Sequence, residues 1–410
     1  MTKIKKILTC VSQYNEFYRR LIQEYGISDP LNLGQYPILT RQQLQKNRYN
    51  MFSKEYKSKY FAQQLHRQSS SGSSGVPVNV YWDPKDLYVS NLALWRKRFQ
   101  WYGIFPDDRC VTFMLNSSAE NRGVCCLNNP DNILDINISY IYDEKRYLKV
   151  VEYIADFKPT WFSIQPFILR KLLNIYKENA ISIPQSLKYI ESVGELLSPD
   201  LKKLATEFFC VPIVNMYGSE EMNGIAYECP QHHMHVLDNN VLIEVCREGK
   251  IYDCGEGEAI ITNLNNFAMP LIRYSQGDQI VLNNLINKCK CGLDGMVVDL
   301  IAGRTHSVIK TESGLEITSF MLMGILSEIN NMYNYIIDNY FFIYEKSRKH
   351  LWCFLSLNSE AAQWYDSVSK SVIKQFSTKY PKCKDIVLTV SALKGNMVPQ
   401  KKFNILEIRK

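Results

Sequence analysis

The chain has 410 residues, of which 46% are hydrophobic and 22% are charged, and its formal net charge is +7 at pH 7. This length exceeds one ordinary hydrophobic core, so we expect a globular protein with two or more domains. The most basic segments, residues 3–6 and 401–410, are short and lie at the two ends. This argues against a nucleic-acid-binding protein, whose positive charge is usually concentrated on one face.

The first apolar run covers only residues 7–11. A signal peptide needs a longer apolar core, and no other stretch approaches the roughly 20 apolar residues of a membrane span. We therefore expect a cytoplasmic protein without a membrane span. In a reducing compartment, the 12 cysteines are expected to be thiols or metal ligands rather than a disulfide framework.

Residues 1–60 have a helical pattern, HRQ is interpreted as the end of a helix, and VNVYWD as an alternating strand. From there to residue 218, short apolar runs alternate with longer amphipathic runs. The predicted strands are VTFML, TWFSI, LKYIESVG and VPIVNMYG, and the predicted helices are YLKVVEYIADF, PFILRKLLNIYKENA and SPDLKKLATEFF, the last capped by Ser198. This alternation predicts a mostly parallel α/β sheet.

After residue 237 the pattern changes to β-rich segments joined by Gly, Asp and Asn turns, and after residue 303 helices and strands mix again. We therefore predict an α/β fold with a large N-terminal domain over residues 1–304 and a small C-terminal α+β domain over residues 305–410. The large domain combines mixed or parallel sheets and helices with a β-rich subdomain at about 237–300.

The segment SSSGSSGVP, residues 69–77, combines serine hydroxyls with glycines and is followed by a predicted strand. Glycine allows close backbone approach, and exposed N–H groups with hydroxyls suit phosphate oxygens. The segment lacks the Lys-Ser or Lys-Thr of a Walker loop. Taken alone, it is better interpreted as a flexible linker than as a phosphate-binding loop.

Four further motifs follow this loop in order: GE at residues 194–195, NMYGSEE, AMPLIRYSQGD and IAGRTHSVIKTESG. The series resembles the adenylate-forming (ANL) superfamily, and within it the phenylacetate–CoA ligase-like and CapK-like (coenzyme F390 synthetase) proteins. The resemblance extends over about residues 30–405. It implies an enzyme that activates a carboxylic acid with ATP, and it favours the phosphate-binding interpretation of the loop over the linker.

By this resemblance, the residues that hold the β- and γ-phosphates are Ser70, Ser71, Gly72, Ser73, Ser74 and Gly75. Those around the adenosine, the α-phosphate and the acyl pocket are Gly194, Glu195, Tyr217, Gly218, Ser219, Asp278 and Arg304. Tyr217 is expected to stack on adenine, Asp278 to accept hydrogen bonds from the ribose, and Glu221 to hold Mg²⁺. Lys401, with Lys402 as the alternative, is the implied catalytic lysine of the small domain.

The chain departs from the usual family pattern at several of these motifs. Val76 stands where a lysine is common, Glu220 replaces a serine or threonine, and Gln400 replaces a glycine. His306 occupies the pivot about which the small domain is implied to move between two poses, a position that tolerates different residues.

The implied reaction is formation of an acyl-adenylate with release of pyrophosphate, followed by transfer to the thiol of CoA or of a carrier-protein phosphopantetheine. Two alternatives stay open: transfer of the acyl group to an amine without CoA, and a nucleotide-binding homologue without catalysis. Polar groups in LNSSAENRGVCC, near the implied acyl pocket, favour an aryl or amino acid as the substrate.

A metal site is predicted from ECPQHHMH, residues 228–235, and from KCKCG, residues 288–292. Cys229, His235, Cys289 and Cys291 can form a closed Cys₃His set, with His232 or His233 as substitutes. A closed set of this kind is typical of structural Zn²⁺ rather than catalytic Zn²⁺. Zinc-binding inserts also occur in the family that the chain resembles.

Overall fold

The computed structural model describes most of the chain. The described residues are 2–69, 78–114, 124–128, 132–141, 146–285, 289–304, 309–313, 315–317, 319–333, 336–357, 359–381, 383–393 and 406–409.

The α-helices of the described residues are α1 (Lys3–Tyr14), α2 (Glu16–Glu24), α3 (Arg41–Asn47), α4 (Tyr56–Phe61), α5 (Pro84–Tyr102), α6 (Ile138–Ile141), α7 (Tyr147–Phe157), α8 (Pro166–Glu178), α9 (Pro199–Phe209), α10 (Ser319–Met332) and α11 (Tyr365–Lys379). Short 3₁₀ helices cover Leu33–Gln35, Lys346–Arg348 and Ser359–Trp364.

The strands are β1 (His66–Ser69), β2 (Asn79–Trp82), β3 (Cys110–Met114), β4 (Cys125–Asn128), β5 (Ile133–Asn137), β6 (Trp161–Ile164), β7 (Tyr189–Val193), β8 (Ile213–Ser219), β9 (Asn223–Glu228), β10 (Met234–Val236), β11 (Val241–Arg247), β12 (Lys250–Tyr252), β13 (Gly255–Asn263), β14 (Tyr274–Leu285), β15 (Gly295–Arg304), β16 (Ile309–Lys310), β17 (Glu316–Ile317), β18 (Ile337–Glu345), β19 (His350–Leu357), β20 (Val387–Ala392) and β21 (Leu406–Arg409).

The chain forms two compact units, and each unit is built from two separate segments. The first unit comprises Met1–Phe105 and Met216–Ile301, and the second comprises Pro106–Asn215 and Ala302–Lys410. The predicted domain boundary between residues 304 and 305 stays a prediction.

The first unit contains a sheet with the strand order β12-β11-β13-β14-β15-β10-β9-β8. The pairs β11–β13, β13–β14 and β8–β9 are antiparallel, as expected for the predicted β-rich segment. Its hydrophobic core joins these strands to the N-terminal helices and contains fully buried aromatic residues such as Trp82 and Tyr274. Burial of large aromatic surfaces is a main source of stability for such a core.

One local prediction in the first unit is wrong. Residues 66–69, which include HRQ, form strand β1 rather than the end of a helix, and β1 pairs antiparallel with β2 from His66↔Trp82 to Ser69↔Asn79. The polar β1 sequence has little strand propensity of its own. Its conformation is instead set by the ladder with β2, a cross-strand effect that a local helical pattern does not contain.

The second unit contains a parallel α/β layer, as predicted. Strands β3–β5, β3–β6 and β6–β7 are parallel, and β4 is antiparallel to β5. Helices α7, α8 and α9 bury their apolar residues against one face of these strands. The predicted cap of α9 is confirmed, because the Ser198 side chain accepts a hydrogen bond from the Leu201 amide.

The last part of the second unit is a separate four-stranded sheet with the order β20-β19-β18-β21. Strands β18 and β19 are antiparallel, whereas β20 and β21 join them in parallel. Helices α10 and α11 complete its own hydrophobic core. The predicted fold class, a large α/β part with a small C-terminal α+β part, is therefore confirmed.

Candidate active site and metal cluster

Three of the predicted nucleotide-binding residues lie at the end of strand β8, where the chain turns into β9. Gly218 faces Gly224 in this ladder and Ser219 faces Asn223. A Cβ atom on Gly218 would lie 2.6 Å from the Asn223 carbonyl oxygen, so only glycine fits this close approach. The Ser219 hydroxyl accepts a hydrogen bond from the Met222 amide at 3.2 Å. The Ser219 side chain therefore helps to fix the turn that carries Glu220 and Glu221.

The structure brings Tyr217 and Asp278 together, although they lie on strands β8 and β14. The Tyr217 hydroxyl donates a hydrogen bond of 2.7 Å to Asp278 Oδ2. The Asp278 residue is only 7% exposed, and a hydrogen bond to a carboxylate is stronger than one between neutral groups. Gln276 lies beside the pair, with its Nε2 atom 3.4 Å from the Tyr217 hydroxyl.

Glu221 is buried in the same unit and lies beside a cation that the sequence analysis did not identify. Its Oε1 atom is 3.7 Å from Nη1 of Arg41, the first residue of helix α3. The buried Asn263 side chain lies within 3.5 Å of the Glu221 carbonyl oxygen and 3.4 Å of that of Met222. An amide donor placed at two successive carbonyls holds this turn against strand β13.

Gly194 and Glu195 lie in the second unit, directly after strand β7. Gly194 has a φ of +80°, which explains the glycine at this sharp turn. Nearby, burial raises the pKa of Tyr340, and the carboxylates of Asp200 and Glu195 raise it further, against the effect of Arg170. Glu195 is therefore close enough to Tyr340 of strand β18 to act on its pKa.

The other predicted site residues lie partly or wholly outside the described residues. These are Ser70, Ser71, Gly72, Ser73, Ser74 and Gly75 of the loop, the implied pivot His306, and Lys401 and Lys402. Arg304 is described only as the last backbone position of strand β15. The roles of all these residues stay predictions.

The predicted metal ligands come together in the first unit. Ligand atoms of Cys229, His233, His235 and Cys289 all lie within 4.8 Å of one another. Cys229 Sγ is 3.8 Å from Cys289 Sγ, and His233 Nδ1 is 3.1 Å from Cys289 Sγ. Cys291 also reaches the cluster, with its Sγ atom 3.3 Å from His235 Nε2. The cluster therefore offers five candidate donors, one more than a tetrahedral metal site uses.

Two short turns present these donors. In the first, the Cys229 amide donates to the His233 carbonyl, and in the second the Cys289 amide donates to the Leu293 carbonyl, both at 3.0 Å. His232 is directed elsewhere: its Nδ1 atom is 2.9 Å from Glu228 Oε1, and its side chain is 74% exposed. Of the two substitute histidines that were predicted, the structure thus places His233 in the cluster.

The donor chemistry fits zinc. Burial acts to raise the pKa of Cys289, but hydrogen bonds with the Cys291 backbone and the His233 side chain outweigh it and lower that pKa to about 7. Burial lowers the pKa of His235, which favours the neutral, metal-binding imidazole. Burial raises the pKa of Cys229 and of Cys291, so a bound metal would have to deprotonate these two thiols. Thiolate and imidazole donors in a closed set are those of structural Zn²⁺ sites.

Among the described residues, no helix is both long and apolar enough to cross a membrane.

Comparison with known proteins agrees with these features. Residues 138–261 match the model of the AMP-binding enzyme family. Phenylacetate-coenzyme A ligase of Thermus thermophilus is 26% identical over 337 residues, which are 75% of this chain and 70% of the relative. Protein CapK of Staphylococcus aureus is 21% identical over 298 residues, which are 69% of this chain and 62% of the relative.

Among solved structures, 2-hydroxyisobutyryl-CoA ligase in complex with 2-HIB-AMP has a TM-score of 0.75 at 16% identity, covering 100% of this chain and 88% of that chain. The fold is thus that of the adenylate-forming enzymes. The chain resembles the adenylate-forming ligases of the ANL superfamily in this fold and in its AMP-binding match, and its sequence is similar to phenylacetate–CoA ligase and CapK. The predicted resemblance is confirmed.

Proposed function

We propose that this ligase joins a carboxylic acid to AMP and then passes the acyl group to a thiol, either of CoA or of a phosphopantetheine on a carrier protein. The observation that supports this most is the contact between Tyr217 and Asp278 in the unit that also holds Glu221. An aromatic ring can stack on adenine, one carboxylate can accept hydrogen bonds from the ribose, and a second carboxylate can bind Mg²⁺.

In the first half-reaction, a carboxylate oxygen of the acid attacks the α-phosphorus of ATP. The bond from that phosphorus to the bridging oxygen breaks, and pyrophosphate leaves with the bond electrons. Catalysis of this step is mostly positioning and charge stabilisation. Tyr217 and Asp278 would hold the nucleoside, while the backbone and hydroxyls of Ser70 to Gly75 would hold the outer phosphates, and Lys401 or Lys402 would stabilise the transferring phosphoryl oxygens.

Glu221 would hold Mg²⁺, which neutralises phosphate charge when bound. Mg²⁺ is commonly bound by one or two carboxylates together with phosphate oxygens and water, so one buried glutamate is sufficient. The Asn263 contacts with the Glu221 and Met222 carbonyls would keep this carboxylate in place.

In the second half-reaction, the acceptor thiolate attacks the acyl carbon and AMP leaves. We propose an aryl or amino acid as the substrate, a cytoplasmic location, and a structural Zn²⁺ bound by the cysteine and histidine cluster.

Transfer to an amine would follow the same first half-reaction. Glu220, an acid where the family has a hydroxyl, favours one further candidate: a homologue that binds the nucleotide without catalysis.

Acid-dependent exchange of pyrophosphate into ATP, screened over aryl and amino acids, tests the first half-reaction. We expect exchange with the wild-type chain, a fall of about 100-fold in Glu221→Gln, and only a few-fold change in the control Glu24→Gln, an exposed residue at the end of helix α2. Mass spectrometry with CoA, a loaded carrier protein or an amine then identifies the acceptor. ATP binding without exchange for any acid would instead indicate the homologue without catalysis.

A further inference from the structure

Arg41 is a cation at the candidate nucleotide site that comes from the N-terminal helices. Its side chain is 17% exposed, and that of its partner Glu221 is 7% exposed. At 3.7 Å, this nitrogen–oxygen pair lies beyond hydrogen-bond distance and is an ion pair. A cation beside the carboxylate that would bind Mg²⁺ needs an explanation. The guanidinium and Mg²⁺ are both positive, and like charges repel more strongly away from water.

The surrounding structure fixes where Arg41 lies. Thr40 caps helix α3 and forms a capping box with Gln43, which sets the direction of the first helical residue. Leu39 is hydrogen-bonded on both sides to the chain at β14: its amide donates to the Arg273 carbonyl at 2.9 Å, and its carbonyl accepts from the Ser275 amide at 3.0 Å. The strand that carries Asp278 therefore also anchors the residues next to Arg41.

A buried ion pair makes this anchor rigid. The Arg273 guanidinium contacts both carboxylate oxygens of Glu244, at 2.6 and 2.9 Å, and donates to the carbonyls of Gly34 and Tyr36, both at 3.1 Å. Bidentate arginine–carboxylate contacts of this kind are strong and directional. The segment that leads to Arg41 is therefore held against the nucleotide-binding strands rather than left as a mobile tail.

Charge balance then identifies the ligand. Mg²⁺ on Glu221 would repel the Arg41 guanidinium unless an anion lay between them. The triphosphate is the most negative group in the reaction, and a guanidinium matches two phosphate oxygens at once. The segment SSSGSSGVP, which would cradle the same phosphates, contains no lysine or arginine. A cation from another part of the chain would therefore add the positive charge that this loop does not supply.

We propose that Arg41 binds the β- and γ-phosphates of ATP, with or without Mg²⁺, and that its guanidinium shifts from Glu221 to them when ATP enters. This inference rests on the proposed function. It makes the N-terminal helices part of the active site, and it assigns Arg41 a role in holding the pyrophosphate half of the substrate rather than the AMP half.

Dissociation constants of ATP and AMP, measured by calorimetry on the full chain with Mg²⁺ and with EDTA, test this. We expect Arg41→Gln to weaken ATP about 10- to 100-fold in both conditions, since a charged hydrogen bond is lost, and to change AMP less than 3-fold. Arg41→Lys, which keeps the charge, should lie between the two. Lys46→Gln, an exposed residue on the same helix, is the matched control.

Three outcomes would overturn the inference: equal weakening of ATP and AMP, no weakening of either, or a loss confined to Mg²⁺, which would mean that Arg41 only positions Glu221. If Arg41→Gln does not fold, Arg41→Lys decides by the same ATP and AMP comparison. A wild-type chain that binds neither nucleotide would overturn the proposed function itself. Failure of the inference alone leaves wild-type ATP and AMP binding intact.

Discussion

Tyr217 has two separate parts that the nucleotide site can use. Its ring is the proposed platform for adenine, whereas its hydroxyl donates to Asp278 at 2.7 Å. The hydroxyl therefore orients the carboxylate that is proposed to bind the ribose. Replacing the tyrosine by phenylalanine separates the two parts, because the ring stays and the hydrogen bond is lost.

We expect Tyr217→Phe to weaken AMP roughly 2- to 12-fold, which corresponds to the usual net value of about 0.5–1.5 kcal/mol for one hydrogen bond. Asp278→Asn should weaken AMP more, because it removes the negative charge of the carboxylate that is proposed to accept hydrogen bonds from both ribose hydroxyls. Equilibrium binding of AMP measures both effects. Tyr252→Phe is the control, since Tyr252 is 37% exposed on strand β12 and carries no proposed role.

A Tyr217→Phe variant that binds AMP as well as the wild type would mean that Asp278 is positioned by other groups. A loss equal to that of Tyr217→Ala would mean that the hydroxyl, and not the ring, carries the whole contribution of this residue.

At the scale of elements, two turns bring together ligands that are far apart in the sequence. One turn joins β9 to β10 and the other precedes β15, and the two strands β10 and β15 pair at His235↔Val297. A metal ion bound by both turns would cross-link the sheet at this point. Because closing a long chain segment restricts the unfolded state, such a link stabilises the folded unit.

We expect Cys289→Ser to bind less zinc and to unfold at a lower temperature than the wild type, because Cys289 contacts both Cys229 and His233. Zinc content by mass spectrometry and thermal unfolding with and without a chelator measure this. Cys254→Ser is the control, since Cys254 is an exposed thiol outside the cluster. A wild-type chain without bound zinc, or a chelator without effect on the wild type, would contradict the metal site.

The elements that the sequence predicts well are those with local causes. Helix α7 begins and ends with the amphipathic run YLKVVEYIADF, and α9 begins at its serine cap, because caps and periodicity act within a few residues. Strand β1 was predicted wrongly, because its cause is the partner strand β2. Pairing across a loop leaves little trace in the paired sequence itself.

The same distinction applies to the candidate site. The two motifs that contain Tyr217 and Asp278 could be recognised from their sequences and their order along the chain. The cysteine spacing indicated the metal cluster. The contact between Arg41 and Glu221 was not predictable from the sequence, because it depends on how Leu39 lies against β14. His233 was only one of two substitutes, since neighbouring histidines differ in direction once the chain turns between them.

At the scale of the whole molecule, the second unit joins Pro106–Asn215 to Ala302–Lys410, and a buried ion pair lies where the two segments meet. The Arg170 guanidinium on α8 is 3.3 Å from Asp200 on α9, and it donates to the Ile337 carbonyl on β18 at 3.4 Å. The side chains of Arg170 and Asp200 are only 6% and 2% exposed. One cation thus connects two helices of the α/β layer to the C-terminal sheet.

Removing the cation alone should therefore lower the free energy of unfolding more than removing both charges of the pair. We expect Arg170→Met to lower the free energy of unfolding by about 3–5 kcal/mol, because Asp200 stays buried without this partner charge. The double variant Arg170→Met with Asp200→Asn should recover part of that loss, and urea unfolding measures both. The exposed pair Lys203–Glu207 on the same helix α9, at 67% and 61% exposure, gives the control Lys203→Met, with an expected change below about 0.5 kcal/mol. If Arg170→Met were as mild as this control, the C-terminal sheet would be held by its apolar contacts alone, and the buried charges would have no part in joining the two segments.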